Sequence, residues 1–147
     1  SYMSSPRRAV VGWDSNRLAM ILAVLEARAG VQIGQNDVYL NVAGGLKVRE
    51  PAADLAVAAA LLSSLTGTVI PPGTAVFGEI ALSGAVRPVG QTEARLKEAQ
   101  KLGLKEAVVA STPEQPGAKG IRIRSMETIM DLVAWSAAQD RGQRRIA

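Results

Sequence analysis

Apolar residues at Leu18, Ile21, Leu22, Leu25 and Ala29 recur at intervals of three and four, which predicts a helix over 16–29. Asp14 or Ser15 is placed to cap it, Gly30 to stop it, and Arg17, Glu26 and Arg28 to face water. Ahead of it, residues 10–13 read as a short strand. After it, Val31-Gln32-Ile33 and Asp37-Val38-Tyr39-Leu40-Asn41-Val42 alternate apolar and polar residues around Gly34-Gln35-Asn36-Asp37, a pattern that predicts a hairpin. An alanine-rich run opens at Pro51 and stops at Gly67, predicting a second, buried helix. Its first turn carries methyl groups where a nucleophile would gain from the positive end of the helix dipole.

Beyond the stiff Pro71-Pro72 connection, 75–82 reads as a strand, Ser83-Gly84 as a turn and 85–90 as the returning strand of a second hairpin. Residues 92–102 read as an amphipathic helix closed by Gly103, with Leu96, Ala99 and Leu102 inward. The continuous apolar run at 106–110 predicts a strand covered on both faces, 111–120 a loop, and Ile121-Arg122-Ile123-Arg124 an edge strand. Met126, Ile129, Met130, Leu132, Val133 and Trp135 mark the last helix, and no apolar period continues past Ala138. The order predicts an α/β fold of the two-layer α+β type, helices packed on a small mixed sheet. Residues 1–9, with Met at position 3, read as an expression remnant and flexible lead-in to a domain cut from a longer protein. Residues 10–138 read as one domain and 139–147 as a flexible basic tail.

The chain of 147 residues has neither cysteine nor histidine, which excludes disulfides, thiolate chemistry, Cys or His metal sites and any imidazole base. Aromatics make up only 3% of it, so a core of small aliphatic side chains is expected. Its longest apolar run, Leu55–Leu62, falls well short of the roughly 20 residues a membrane span needs, and the start shows no secretory apolar segment. Seventeen basic against thirteen acidic residues give a net charge of +4, which permits a nucleic-acid partner without requiring one.

Four spaced blocks carry a resemblance: Asn16-Arg17-Leu18-Ala19 with Leu22-Ala23-Val24-Leu25-Glu26; Asp37-Val38-Tyr39-Leu40-Asn41-Val42-Ala43-Gly44-Gly45-Leu46-Lys47-Val48; Asp54-Leu55-Ala56; and Phe77-Gly78-Glu79-Ile80-Ala81-Leu82-Ser83-Gly84-Ala85-Val86-Arg87-Pro88-Val89. Over 10–137 the chain resembles the C-terminal, Lon-protease-like domain of the RadA (Sms) family of bacterial DNA repair proteins. The resemblance implies a Lon-type fold related to the second domain of ribosomal protein S5. It implies an upstream RecA-like ATPase that uses ATP and Mg2+, a zinc finger before it, and a DNA-dependent ATPase as the whole. It also implies a hexameric ring on single- and double-stranded DNA without sequence preference, work in recombination and branch migration, and a cytoplasmic, nucleoid-associated location with no membrane partner.

Active Lon-type domains use a serine and lysine dyad, the serine within Gly-Pro-Ser-Ala-Gly. That segment matches Glu50-Pro51-Ala52-Ala53-Asp54 here, so the serine position is Ala52. The lysine segment matches Gln91-Thr92-Glu93-Ala94-Arg95, so its position is Glu93. A carboxylate cannot replace the neutral amine that accepts the serine proton, and a methyl group offers nothing to activate. The resemblance therefore implies a non-catalytic domain with vestigial positions Ala52 and Glu93 and no cofactor or metal of its own. Two rivals stand beside it: an active peptidase with a nucleophile relocated to Ser63, Ser64 or Ser83, and a pure assembly module that never touches DNA.

Basic residues supply the binding candidates. Lys47 and Arg49 follow Gly44-Gly45 near the mouth of the former site, as a phosphate clamp or as a solvated loop. Arg87, held extended by Pro88, is the candidate for a subunit interface. Lys97, Lys101 and Lys105 form either a basic patch or the wet face of a helix, and Glu93 with Lys97 a helix-stabilising pair. Arg122 and Arg124 share one side of the edge strand, where DNA binding and protection against strand pairing explain them equally well. Tyr39 and Phe77 read as core, and Trp13 and Trp135 as packing for the two ends. No basic and aromatic residues alternate, so base stacking is not expected.

Overall fold

The first helix, α1 (Ser15–Ala29), begins and ends where its caps predict in the computed structural model, which describes residues 8–11, 14–33, 38–41 and 51–146. The Asp14 carboxylate accepts the Asn16 N–H at 2.8 Å, and Gly30 takes the left-handed conformation with its N–H on the Leu25 carbonyl. Leu18, Ile21, Leu22, Val24 and Leu25 are buried.

The expected hairpin after α1 does not form. Strand β2 (Val38–Asn41) instead pairs in parallel with β1 (Arg8–Val11), Arg8 opposite Val38, so α1 is the crossover between them. Val31–Ile33 lies outside any strand, with Ile33 buried in the core. Alternation marks an extended segment and which side is wet, but it carries no information about which edge the segment will join.

Pro51–Ala53 makes one 3₁₀ turn and leads into α2 (Asp54–Thr66), closed by left-handed Gly67. The expected strand 75–82 is divided at Gly78. Its first part, β3 (Thr74–Phe77), joins a parallel sheet in the order β3, β6 (Glu106–Ala110), β7 (Arg122–Met126). Its second part, β4 (Glu79–Ile80), pairs antiparallel with β5 (Val86–Arg87), which makes the second hairpin real but short. The break has a cause: the Gly78 N–H bonds the Ala52 carbonyl at 2.9 Å while its own carbonyl accepts the Leu55 N–H at 3.0 Å. A Cβ there would stand 3.2 Å from both Leu55 Cδ2 and Val86 Cγ1, so any larger residue under the start of α2 needs those side chains to give by a few tenths of an ångström.

Helices cover both faces of the β3–β6–β7 sheet. Val76, Val108, Ala110 and Met126 pack with α1, α2 and α4 (Ile129–Ile146) in the larger apolar cluster. Ala75, Phe77, Ala107, Val109 and Ile123 face Leu96 of α3 (Thr92–Lys101) in the smaller one. Central β6 is buried from Ala107 to Ala110, and β7 lies at the edge, as the apolar run and the alternating arginines predict. The fold class is thus α/β, with parallel and antiparallel pairings.

Three further expectations are corrected. Leu102 is 69% exposed, because α3 ends at Lys101 and the chain turns away through left-handed Gly103. Met126 closes β7 rather than opening the last helix, whose start is held by the Asp131 carboxylate accepting the Glu127 and Thr128 N–H groups at 2.8 and 3.1 Å. Finally, the segment 139–146 continues α4 in helical form instead of ending it at Ala138. Contacts from far along the chain hold it: Thr68 Oγ1 donates to Asp140 Oδ1 at 3.1 Å, and the Gln143 amide bonds both the N–H and the carbonyl of Val69.

Candidate functional site

The start of α2 and the β4–β5 hairpin enclose an open cleft of about 250 Å3, lined by Pro51, Ala52, Glu79, Pro88, Val89, Gly90 and Arg95. Ala52 is 5% exposed at its floor. Its neighbourhood is built by the backbone exchange with Gly78 and by the hairpin, whose Gly84 carbonyl receives the Ile129 N–H at 2.8 Å. Among the described residues that line the cleft, none carries a hydroxyl or an amine.

Glu93 does not line it. Its carboxylate lies on the outer side of α3, 3.4 Å from Lys97 Nζ, both side chains well exposed. Arg95 supplies the contribution of α3 to the wall, its Nε donating to the Gly90 carbonyl at 3.1 Å and its guanidinium 6.0 Å from the Phe77 ring centre. A guanidinium stays protonated at any ordinary pH, so it cannot take a proton from a nucleophile. The serines lie elsewhere: Ser63 Oγ donates to the Thr68 carbonyl at the far end of α2, Ser64 is exposed on that end, and Ser83 Oγ accepts the Ala85 N–H in the β4–β5 turn.

Beside the cleft lies an ion pair that periodicity does not reveal. Asp54, fully buried in the first turn of α2, accepts Arg17 Nε at 2.7 Å on one carboxylate oxygen, and on the other both Arg17 Nη2 and, at 3.0 Å, the Ile80 N–H. One carboxylate thereby ties α1, α2 and β4 together. The hydrogen bond to Asp54 holds the Arg17 guanidinium above its ordinary pKa; burial opposes this, and attraction to Asp54, Glu79 and Asp14 adds to it. Arg17 is therefore half-buried rather than facing water. The available signal was a lone carboxylate in the apolar first turn of an alanine helix, where buried charge demands a partner.

The structure separates the other basic candidates. Lys47 and Arg49 lie outside the described residues, as does Trp13, and the Tyr39 side chain is not described. Arg124 Nε is 2.7 Å from Glu106 Oε1 on neighbouring β6, so its charge is matched within the sheet. Arg122 is exposed on the same side of β7. Arg87 is exposed on β5 across from Glu79. Lys97 is paired with Glu93, while Lys101 is exposed in the last turn of α3. Phe77 is buried, as expected of a core residue, and Trp135 is buried in the larger apolar cluster. No group of three or more His, Cys, Asp or Glu among the described residues could hold a metal ion, and no described helix is long and apolar enough to cross a membrane.

A family model described as "Subunit ChlI of Mg-chelatase" matches residues 8–113. A DNA repair protein RadA of Brucella abortus is 57% identical over 148 residues, covering 98% of this chain and 31% of that protein. The chain belongs to the RadA family of DNA repair proteins. RadA proteins of Synechocystis sp. and Pseudomonas aeruginosa agree, at 47% and 46% identity over 89% of the chain and 26% and 30% of their own lengths. The chain spans about a quarter to a third of the RadA relatives it matches.

Proposed function

We propose that this chain is a catalytically silent Lon-like domain of a DNA repair protein, giving ring contacts and a sequence-independent DNA surface to an ATP-driven motor in the rest of the protein. The observation that supports the reading is the cleft at Ala52: it keeps a walled shape but offers a methyl group at the serine position, and among the described residues lining it the only nitrogen side chain is a permanently charged guanidinium. The excess of basic residues and the relatives named for DNA repair support the DNA-facing half of it. In the whole protein, ATP with Mg2+ and a zinc finger belong to the regions before this domain. Recombination and branch migration by a hexamer are its proposed setting, with Arg87 and the β4–β5 hairpin at the contact between subunits.

The test is direct. Incubated with unfolded protein and a serine-directed probe, the chain is expected to release no peptides and to take no label, whereas it retards duplex and single-stranded DNA at low salt and releases both as salt rises. Covalent labelling would restore the peptidase reading. Absence of DNA binding, together with self-association in sedimentation, would leave an assembly module alone.

A further inference from the structure

The outer edge of β7 is only partly paired. The Arg122 N–H bonds the Lys105 carbonyl at 2.9 Å and the Ser111 N–H bonds the Met126 carbonyl at 2.8 Å, so Arg122, Arg124 and Met126 turn their backbone groups to β6. Ile123 and Ser125, between them, turn theirs outward, and among the described residues no backbone group pairs with them. The next outward carbonyl, that of Glu127, is taken: it accepts the Val86 N–H of β5 at 2.8 Å, while Ala85 bridges Thr128 in the antiparallel sense. Two residues beyond Val86, the next donor of that strand to face β7 would come from position 88, where Pro88 has no N–H. The hairpin therefore stops short, and the edge stays open before Glu127, with Arg122, Arg124 and Ser125 exposed along it.

We infer that the open edge of β7 takes an extended, acidic segment of a partner protein as an added strand, apart from the Ala52 cleft and independently of any DNA contact. Such a strand meets the N–H and carbonyl of Ile123 and of Ser125, continuing the edge pairing that Val86 begins at Glu127. Its side chains alternate between two faces. Those on one face stand beside Arg122 and Arg124, and those on the other beside Ile123, which is half-buried on the smaller apolar cluster with Ala118 and Ile121. Glutamate or aspartate at every second position, with apolar residues between, fits both faces. Arg124 already shares its charge with Glu106, so the larger attraction falls to exposed Arg122. Glu127 lies one position past β7, and Glu114 is next to Gln115, whose side chain takes the Ser125 hydroxyl at 3.0 Å on the Ile123 face. Both disfavour acid on that face, which confines the acidic positions of the partner to the arginine face. The same arginines disfavour a second copy of this chain, because edge to edge they bring like charges together. What repels a like strand thus selects an acidic one.

Titration with a peptide of about six residues that alternates glutamate and valine, followed by amide NMR, tests it. The Ile123 and Ser125 amide signals are expected to shift most and to exchange with solvent more slowly, and a peptide of equal length that alternates lysine and valine to bind at least about fivefold more weakly. Ser125→Pro removes an outward N–H at an edge position without changing the charge, and is expected to weaken the glutamate peptide about tenfold. Arg122→Glu is expected to weaken it about fivefold. Full affinity in Ser125→Pro would overturn strand addition, as would shifts centred away from β7 or no binding by the unaltered chain. If Arg122→Glu weakened binding of a DNA duplex and left the peptide untouched, the edge arginines would belong to nucleic acid and the inference would fall. Duplex binding by the unaltered chain is read separately, so loss of the peptide leaves the proposed function standing. Melting curves check folding, and Arg122→Glu keeps the test decisive if Ser125→Pro melts early.

Discussion

Asp54 is the residue on which most local order near the cleft converges. With one oxygen on Arg17 and the other shared between Arg17 and the Ile80 N–H, its removal from water is compensated on both sides. Arg17→Met leaves that carboxylate buried and unpaired, and is expected to cost about 3 kcal/mol in urea unfolding, at the lower end for buried pairs because Arg17 keeps contact with water. Arg17→Met/Asp54→Leu is expected to be less destabilised than Arg17→Met, since no charge is then stranded. A double variant at least as unstable would mean that Asp54 acts mainly through Ile80. The pH dependence has a definite sign. A guanidinium raised above its unfolded value contributes fully below that value and loses its contribution only as pH climbs past the folded one, so the share of Arg17 is unchanged between pH 7 and 10.

Between elements, Gly78 and the end of α4 show order imposed at a distance. Gly78→Ala pushes a methyl group to 3.2 Å from Leu55 and Val86, and with both backbone groups of Gly78 bound to the α2 start the strand cannot back away. The expected loss is about 1–3 kcal/mol, read as a lower urea midpoint with the slope unchanged. The end of α4 depends on polar contacts with the loop after α2. Thr68→Val removes the hydroxyl from Asp140 and is expected to cost about 1 kcal/mol, with faster amide exchange confined to 139–146. Unchanged exchange there would show that the helix holds itself.

For the molecule as a whole, one sheet is shared by both apolar clusters, alternate residues of β3, β6 and β7 facing one or the other. Neither cluster can lose its sheet without exposing the second. Urea unfolding followed by tryptophan fluorescence and by far-UV circular dichroism is therefore expected to give coincident midpoints. Separate midpoints would mean that α3 and the smaller apolar cluster beneath it form an independent unit.

Local chemistry was enough to place α1 with both caps, the extent of α2, the buried strand β6 and the arginine-bearing edge β7, because periodicity, a capping carboxylate and a closing glycine act within a few residues. That position 52 carries a methyl group and position 93 a carboxylate was equally plain from the residues that stand there. Partnership was not. That β2 joins β1 in parallel, that Arg17 turns inward to Asp54, that Gly78 divides a strand and that the Lys119 carbonyl meets the Gln100 side chain are matters of which distant surfaces meet. A residue pattern records how much water each side chain tolerates, while the choice among compatible edges, charges and turns is made by simultaneous packing of segments that the pattern treats separately.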